Sequence, residues 1–388
     1  MILDVSNEAF RRIMNDEALF LPIRWDGVDF SSTVRKLFRH YSENVKTIIV
    51  SEVGPEDARI ILEKLQTICD NIVESIDYYL NGFPAKAYNA FGRVMAILAD
   101  NQLLLYQKSS HDPIYFANGN DPLELYRAVK VDDNKPYDRT RVFHTPFSMR
   151  SKVSTCRYSI AGHPSLYLCT SLDLCCSEIN VDPSRELTLA AAFRMDRYIR
   201  SANVEIRVIE LGIKPQDIVV RDFNDQRKPL RKKKRNVPTD IMWDADTVYA
   251  YLLWFPLIAA CSYIRVNKKD PFAAEYIIPQ LLMQWVRNVN ENLNKSIPEQ
   301  SLSSTYKVDG EYGKLFGIRY FSCASKNASE KGFNYVFPTN GQKISQKKPY
   351  CTILAQAFKL TEPVYIHEYD SNSDCEKDLQ NKKFGKLH

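Results

Sequence analysis

The residues best suited to chemistry gather in one stretch, Cys156 to Ile179, reading CRYSIAGHPSLYLCTSLDLCCSEI. Arg157 precedes a turn at Ala161–Pro164, and Tyr167 lies in the apolar run Leu166–Leu168. Glu178 falls in the second turn of a helix that Thr170 or Ser171 is placed to cap. A guanidinium is a planar, permanently charged fork that suits paired phosphate or carboxylate oxygens. A carboxylate can stabilise positive charge that develops as a bond breaks. Taken alone, the same residues fit a bland reading. A solitary Glu in an apolar helix is more often a paired structural carboxylate, and an Arg before a turn is more often solvated.

The elements around this stretch follow from apolar spacing. From Pro55 to Leu80, apolar residues at Ala58, Ile61, Leu65, Ile68, Ile72 and Ile76 keep to one helical face, which predicts a long amphipathic helix. Gly82 caps it and Pro84 opens a second helix through Leu98. With a further helix around Val34–Tyr41, these predict an α-helical N-terminal module over residues 1–120. Beyond it, short apolar runs broken by Gly, Pro and Asn predict an α+β domain over 121–365. Strands are expected at Leu166–Cys169, Leu189–Phe193, Val204–Val208, Gly317–Ser322, Tyr335–Phe337 and Thr352–Leu354, with helices near Leu172 and at Pro279. Residues 366–388 are so poor in apolar groups that a disordered tail is expected.

Composition narrows the classes. A chain of 388 residues with 45% hydrophobic content is neither disordered nor fibrous. Its formal charge is +5, but seven basic residues fall within Arg227–Arg235, and the remainder carries −2. One loop is basic; the protein is not. Nine cysteines without a CxxC pair and six scattered histidines spell neither a disulfide framework nor a zinc site, so no metal is expected. Reduced thiols in a cytoplasm are the expectation, and the N-terminus lacks the apolar region of a secretion signal. The uncharged run Thr247–Ile264 is broken by Pro256 and reads as a core segment of the main domain rather than a membrane span. The phosphate-loop and hydrolase signatures GxGxxG, GxxxxGK[ST], HExxH and GxSxG are absent.

At this point the stretch resembles the RES-domain family, named for an Arg, a Glu and a Ser that line a pocket. Arg157 is followed by Tyr167 ten residues on and Glu178 eleven further, around RYSIAG-x-P and LYL. Ser322 in GIRYFSCAS is the counterpart of the third name residue, Phe333–Phe337 (FNYVF) matches the run that succeeds it, and LYRA (Leu125–Ala128) matches the domain-opening strand. FHTPFSMR (Phe143–Arg150) and EYIIPQLL (Glu275–Leu282) resemble the longer members, which carry a helical extension. Tyr158 stands where a Trp is usual, Cys156 where a Gly is usual, and a long insertion separates Glu178 from Ser322.

The resemblance implies an ADP-ribosyltransferase-like mixed-sheet domain that takes NAD as substrate and breaks its nicotinamide–ribose bond. ADP-ribose would pass to inorganic phosphate or water in a toxin or stress effector, or to a protein acceptor. Arg127 and Arg157 are then expected on the diphosphate, and Glu178 on the developing positive charge. Tyr158 and Tyr167 would stack on nicotinamide or position ribose, and Ser322 and Asn334 would hydrogen-bond the amide or a phosphate. His144 and His163 are expected to be structural or turn residues. An antitoxin, if one exists, would be a separate protein. From a different class, the loop QRKPLRKKKRNVP could grip nucleic acid, although it lacks interleaved aromatics for base stacking.

Overall fold

The computed structural model describes residues 7–99, 124–195, 205–219, 245–295, 306–308, 311–339 and 349–387. The basic run Arg227–Arg235 lies outside the described residues. Helices α1 (Asn7–Met14), α2 (Phe30–Glu52), α3 (Pro55–Leu80) and α4 (Pro84–Leu98) come first. Strands β1 (Leu125–Lys130) and β2 (Ser165–Cys169), helix α5 (Leu172–Ile179), and strands β3 (Thr188–Met195) and β4 (Glu205–Leu211) follow. Helices α6 (Pro215–Val219), α7 (Ala245–Ala260) and α8 (Ile277–Lys295) precede strands β5 (Tyr306–Val308), β6 (Glu311–Phe321) and β7 (Phe333–Pro338). Helix α9 (Thr352–Ala357), the short strands β8 (Phe358–Leu360) and β9 (Val364–Tyr365), and helix α10 (Asn372–Asn381) end the described chain.

The chain divides into two units, Met1–Leu105 with Glu210–Trp285, and Tyr106–Ile209 with Val286–His388. This corrects the expected boundaries, because much of the insertion between Glu178 and Ser322 belongs with the N-terminal helices. Physically, α2, α3 and α4 each have one apolar face to bury, while α7 is apolar all round and fills the space they leave. Tyr251, Trp254 and Phe255 of α7 are wholly buried. Pro256 has no N–H to give the carbonyl of Leu252 one turn back. The buried hydroxyl of Tyr41 on α2 donates to that carbonyl instead, at 2.8 Å. Among the described residues no helix is long and apolar enough to cross a membrane.

The second unit is mixed sheet and helix, as an α+β chain should be. Its strands run in the order β4-β6-β7-β2-β1-β3-β8, with β5 beside β6 and β9 beside β3. One face packs Leu166, Leu168, Phe193, Tyr335 and Phe337 against the segment holding Phe143 and Phe147. The opposite face offers the small side chains of Ala128, Ala190 and Ala192 to Leu172, Cys175 and Cys176 of α5. The expected strand at Thr352–Leu354 is instead the first turn of α9, whose Leu354 and Ala357 are spaced to reach the core from a helix; pairing begins only at Phe358.

Residues 366–388, expected to be a disordered tail, are ordered through Leu387. Cys375 and Leu379, four apart on α10, are wholly buried against the α5 face. Gly385 pairs with Leu360. Two apolar residues at helical spacing suffice to dock a short helix, despite its polar composition.

Candidate functional site

Antiparallel register sets the site face. Tyr167 pairs with Val336, Cys169 with Asn334, and Asn334 with Tyr320. Side chains alternate along a strand, so Tyr167, Cys169, Asn334 and Tyr320 share one face. Ser322 keeps the same parity just past the end of β6. The close approach of β6 to β7 requires Gly317, because a Cβ there would lie 2.5 Å from the Val336 carbonyl and 2.9 Å from the Phe337 ring. Gly332, at a φ of 141°, lets the Thr170 hydroxyl accept from Phe333 N at 2.9 Å, which fixes the start of β7 one residue before Asn334.

Glu178 is delivered by α5. Ser171 caps this helix by accepting from Leu174 N at 3.2 Å. Glu376 of α10 accepts from Leu172 N at 2.6 Å, an anion at a helix N-terminus, so the ordered chain end helps hold the helix. In the last turn the exposed Glu178 accepts at Oε1 from Asn334 Nδ2 at 2.6 Å. Asn334 Oδ1 accepts in turn from the Cys169 thiol at 3.1 Å. Hydrogen bonding to Cys175, together with burial, pushes the Cys169 thiol up.

Arg157 is positioned by a tight turn. Cys156 and Ser159 exchange backbone hydrogen bonds at 2.9 and 3.2 Å, leaving Arg157 and Tyr158 at the two central positions. Two anchors hold this turn. The Ser159 hydroxyl and the Tyr167 hydroxyl lie 2.7 Å apart in a hydrogen bond, and the Tyr158 ring packs on Tyr320 at 4.6 Å between centroids. Arg157 is 8% exposed, so its guanidinium is largely withdrawn from solvent. Burial raises the Tyr320 hydroxyl well above its ordinary range, and the Glu178 carboxylate beside it adds to the rise. Tyr320 therefore links the Arg157 turn with the Glu178 helix.

Arg127 enters from β1. That strand pairs with β3 at six positions but with β2 only at Tyr126–Cys169, so β1 and β2 part beyond that point. In the gap, Arg127 Nη1 donates to the Tyr167 carbonyl at 2.9 Å, while its buried Nε has no hydrogen-bond partner. Burial lowers the Arg127 guanidinium pKa.

Of the residues expected from the sequence, Tyr158, Tyr167, Glu178 and Asn334 are linked through Ser159 and Tyr320 around the Arg157 turn. Arg127, by contrast, alternates onto the opposite face of the sheet and reaches this group through the Tyr167 backbone carbonyl. Asn334 and Ser322 have unexpected surroundings. Asn334, expected to face a ligand, has both ends engaged and serves to hold Glu178. Ser322 is wholly buried and accepts from Ala324 N at 3.1 Å, closing a local turn. Tyr320 was not singled out, yet counting back by two from Ser322 along β6 leads to it. Arg287 on α8 was also not singled out. Its Nη1 donates to His163 Nδ1 at 3.2 Å and its Nη2 to the Pro164 carbonyl at 3.3 Å. His144 is structural: its Nδ1 donates to the Thr145 carbonyl at 2.8 Å and its Nε2 accepts from Cys351 N at 2.9 Å. Among the described residues, no group of His, Cys, Asp or Glu is arranged to hold a metal ion.

Fold and site together describe a mixed helix-and-sheet protein with a tyrosine-lined sheet face and one exposed, hydrogen-bonded carboxylate. Comparison with known proteins adds a relative from Bacillus subtilis (strain 168), named "Putative toxin YopC". It is 26% identical over 371 residues, which cover 92% of this chain and 71% of the relative. No protein-family model matches the chain, and no solved structure matches it.

Proposed function

We propose that this chain is a toxin of RES type that cleaves NAD, passing ADP-ribose to inorganic phosphate or water. The observation that carries the reading is the double anchoring of the Arg157–Tyr158 turn, on Tyr167 and on Tyr320, with Glu178 held beside Tyr320 by Asn334. The donor set suits the substrate. Arg157 is a fork for diphosphate oxygens, and Tyr167 offers an aromatic face beside its turn. The relative named as a toxin agrees with the biological role.

In the reaction, the bond from the ribose anomeric carbon to the pyridinium nitrogen breaks. Both electrons stay with nitrogen, and nicotinamide leaves neutral. An oxygen of phosphate or water forms the new bond to that carbon; with water, one proton is released. Positive charge builds on the ribose as the bond lengthens, and Glu178, fixed by Asn334, stabilises it or orients a ribose hydroxyl.

The test is nicotinamide release from NAD by the purified full chain, with and without phosphate, for the parent and for Glu178→Gln. Release by the parent and a loss of about 10² to 10³ in the variant, at unchanged thermal stability, is expected. Absence of release under every condition, or a fully active variant, would falsify the reading. ADP-ribose found on a protein instead of in free products would move the activity to a protein acceptor.

A further inference from the structure

On the Pro164 side of Tyr167, positive groups collect, and no described carboxylate pairs with them. Arg287 donates to His163 and to the Pro164 carbonyl, and the Thr339 hydroxyl donates to the same carbonyl at 2.7 Å. Because a guanidinium only donates, His163 Nδ1 must accept, which leaves its ring hydrogen on Nε2. Burial lowers the His163 pKa, and the neighbouring Arg287 and Arg150 lower it further. The Gly162 N donates to the Val153 carbonyl at 3.0 Å, which brings the segment of Arg150 beside His163. Arg150 and Arg287 repel each other, and the Tyr167 phenol lies within electrostatic reach of Arg287. The Arg150 guanidinium stacks over the Phe147 ring at 5.1 Å, and its buried Nε has no hydrogen-bond partner. Among the described residues, neither Arg150 nor Arg287 meets a carboxylate.

Like charges brought together in partly buried surroundings cost free energy unless an anion joins them. Here two guanidiniums and a neutral imidazole N–H supply only donors. A compact tetrahedral dianion, with several acceptor oxygens, suits such a set. The group is distinct from Arg127, which is tied to the Tyr167 backbone, and from Arg157 in its turn. Given NAD cleavage beside Tyr167, we infer that Arg150, Arg287 and His163 form a second anion subsite, which binds the inorganic phosphate that accepts ADP-ribose; this assignment rests on that reading of the site. The subsite would favour phosphate over water by raising its local occupancy on the Pro164 side of Tyr167.

Two measurements on the full chain test this: calorimetric binding of inorganic phosphate, and nicotinamide release at varied phosphate and varied NAD. For Arg150→Gln combined with Arg287→Gln, phosphate affinity should fall by about tenfold to a hundredfold, as expected for lost charge-assisted hydrogen bonds. The KM for phosphate should rise in parallel, while the KM for NAD stays within about twofold of the parent. Arg150→Lys and Arg287→Lys keep the charge without the fork. They control for folding through thermal unfolding, and should show intermediate phosphate affinity.

Phosphate binding that is undetectable in the parent, or unchanged in the double variant, overturns the subsite even if NAD is cleaved. A rise in the KM for NAD with no change for phosphate also overturns it, and assigns these arginines to the dinucleotide. Phosphate binding that depends on both arginines, in a parent that releases no nicotinamide, supports the anion subsite while removing NAD cleavage.

Discussion

Both units bury polar groups that secondary structure alone does not satisfy, and one case from each shows two ways of meeting that cost. In the helical unit, Pro256 leaves the Leu252 carbonyl open and the Tyr41 hydroxyl closes it. In the sheet unit, Nε of Arg127 and of Arg150 stay open, and Arg287 is held against a histidine and a carbonyl, with no carboxylate partner among the described residues. A closed gap serves stability, because nothing outside the chain is needed to satisfy it. Open guanidinium donors in buried surroundings cost stability, a cost that a bound anion would offset. An open donor alone does not mark a site, since the buried Trp254 Nε1 of α7 also lacks a hydrogen-bond partner; substitutions that separate turnover from stability do.

The largest effect that should sharpen this contrast comes from acid acting on His144. This imidazole is closed in the scaffold sense, with one nitrogen donating and the other accepting. It also anchors the segment that leads to Arg150. Burial holds its pKa down at about 4, against about 6.5 in the unfolded chain. The unfolded chain therefore binds the proton first. The stabilisation is complete above about pH 6.5 and is lost as pH falls from there towards 4. Its full size is at most about 3 kcal/mol. Thermal unfolding across this range should show a steep decline that His144→Gln flattens; an equally steep decline in the variant would assign the acid sensitivity elsewhere.

Next comes Tyr41→Phe, which reopens the gap in the helical unit. The ring still fills its place against Phe255, at 4.4 Å between centroids, so the change isolates the hydroxyl. A buried carbonyl left without a donor should cost about 1 to 3 kcal/mol of stability. Chemical denaturation would register the loss, while nicotinamide release from the folded fraction should remain at the parental rate. Reduced turnover without lost stability would contradict the division between scaffold and site.

How much of this was legible in the sequence depended on distance along the chain. Arg157, Tyr167 and Glu178 lie in one short stretch, so turn, strand and capped helix could be read together, and the structure anchors the turn on Tyr167 and on Tyr320. Arg287 lies far downstream on an amphipathic helix, where an arginine normally means a solvated face; only tertiary packing brings it to His163. Alternation back from Ser322 could have pointed to Tyr320. The apolar run around Pro256 announced burial but not the unit in which it is buried, because an all-apolar helix carries no face to show its neighbours. For α10, composition misled. Cys375 and Leu379 are few, yet they fall on one helical face, and Glu376 between them reaches the N-terminus of α5.

The smallest expected effect asks whether Asn334 is part of the chemistry or only its support. Its amide spans Glu178 and the Cys169 thiol, and the residue is 2% exposed. Asn334→Ala leaves Glu178 in place but free to turn, so kcat for nicotinamide release should fall by about tenfold, near 1.4 kcal/mol, with little change in the KM for NAD. Loss of a purely structural contact would lower stability by the same amount whatever stands at position 178. A positioning role predicts something different. Once Glu178 is Gln, adding Asn334→Ala should slow the residual reaction by far less than it slows the parent, because the group being positioned no longer acts. A double-mutant cycle in kcat measures this coupling directly. Additive losses would return Asn334 to the scaffold, alongside the Tyr41 contact, whereas strong coupling would make it the point where a closed hydrogen-bond network becomes part of the site.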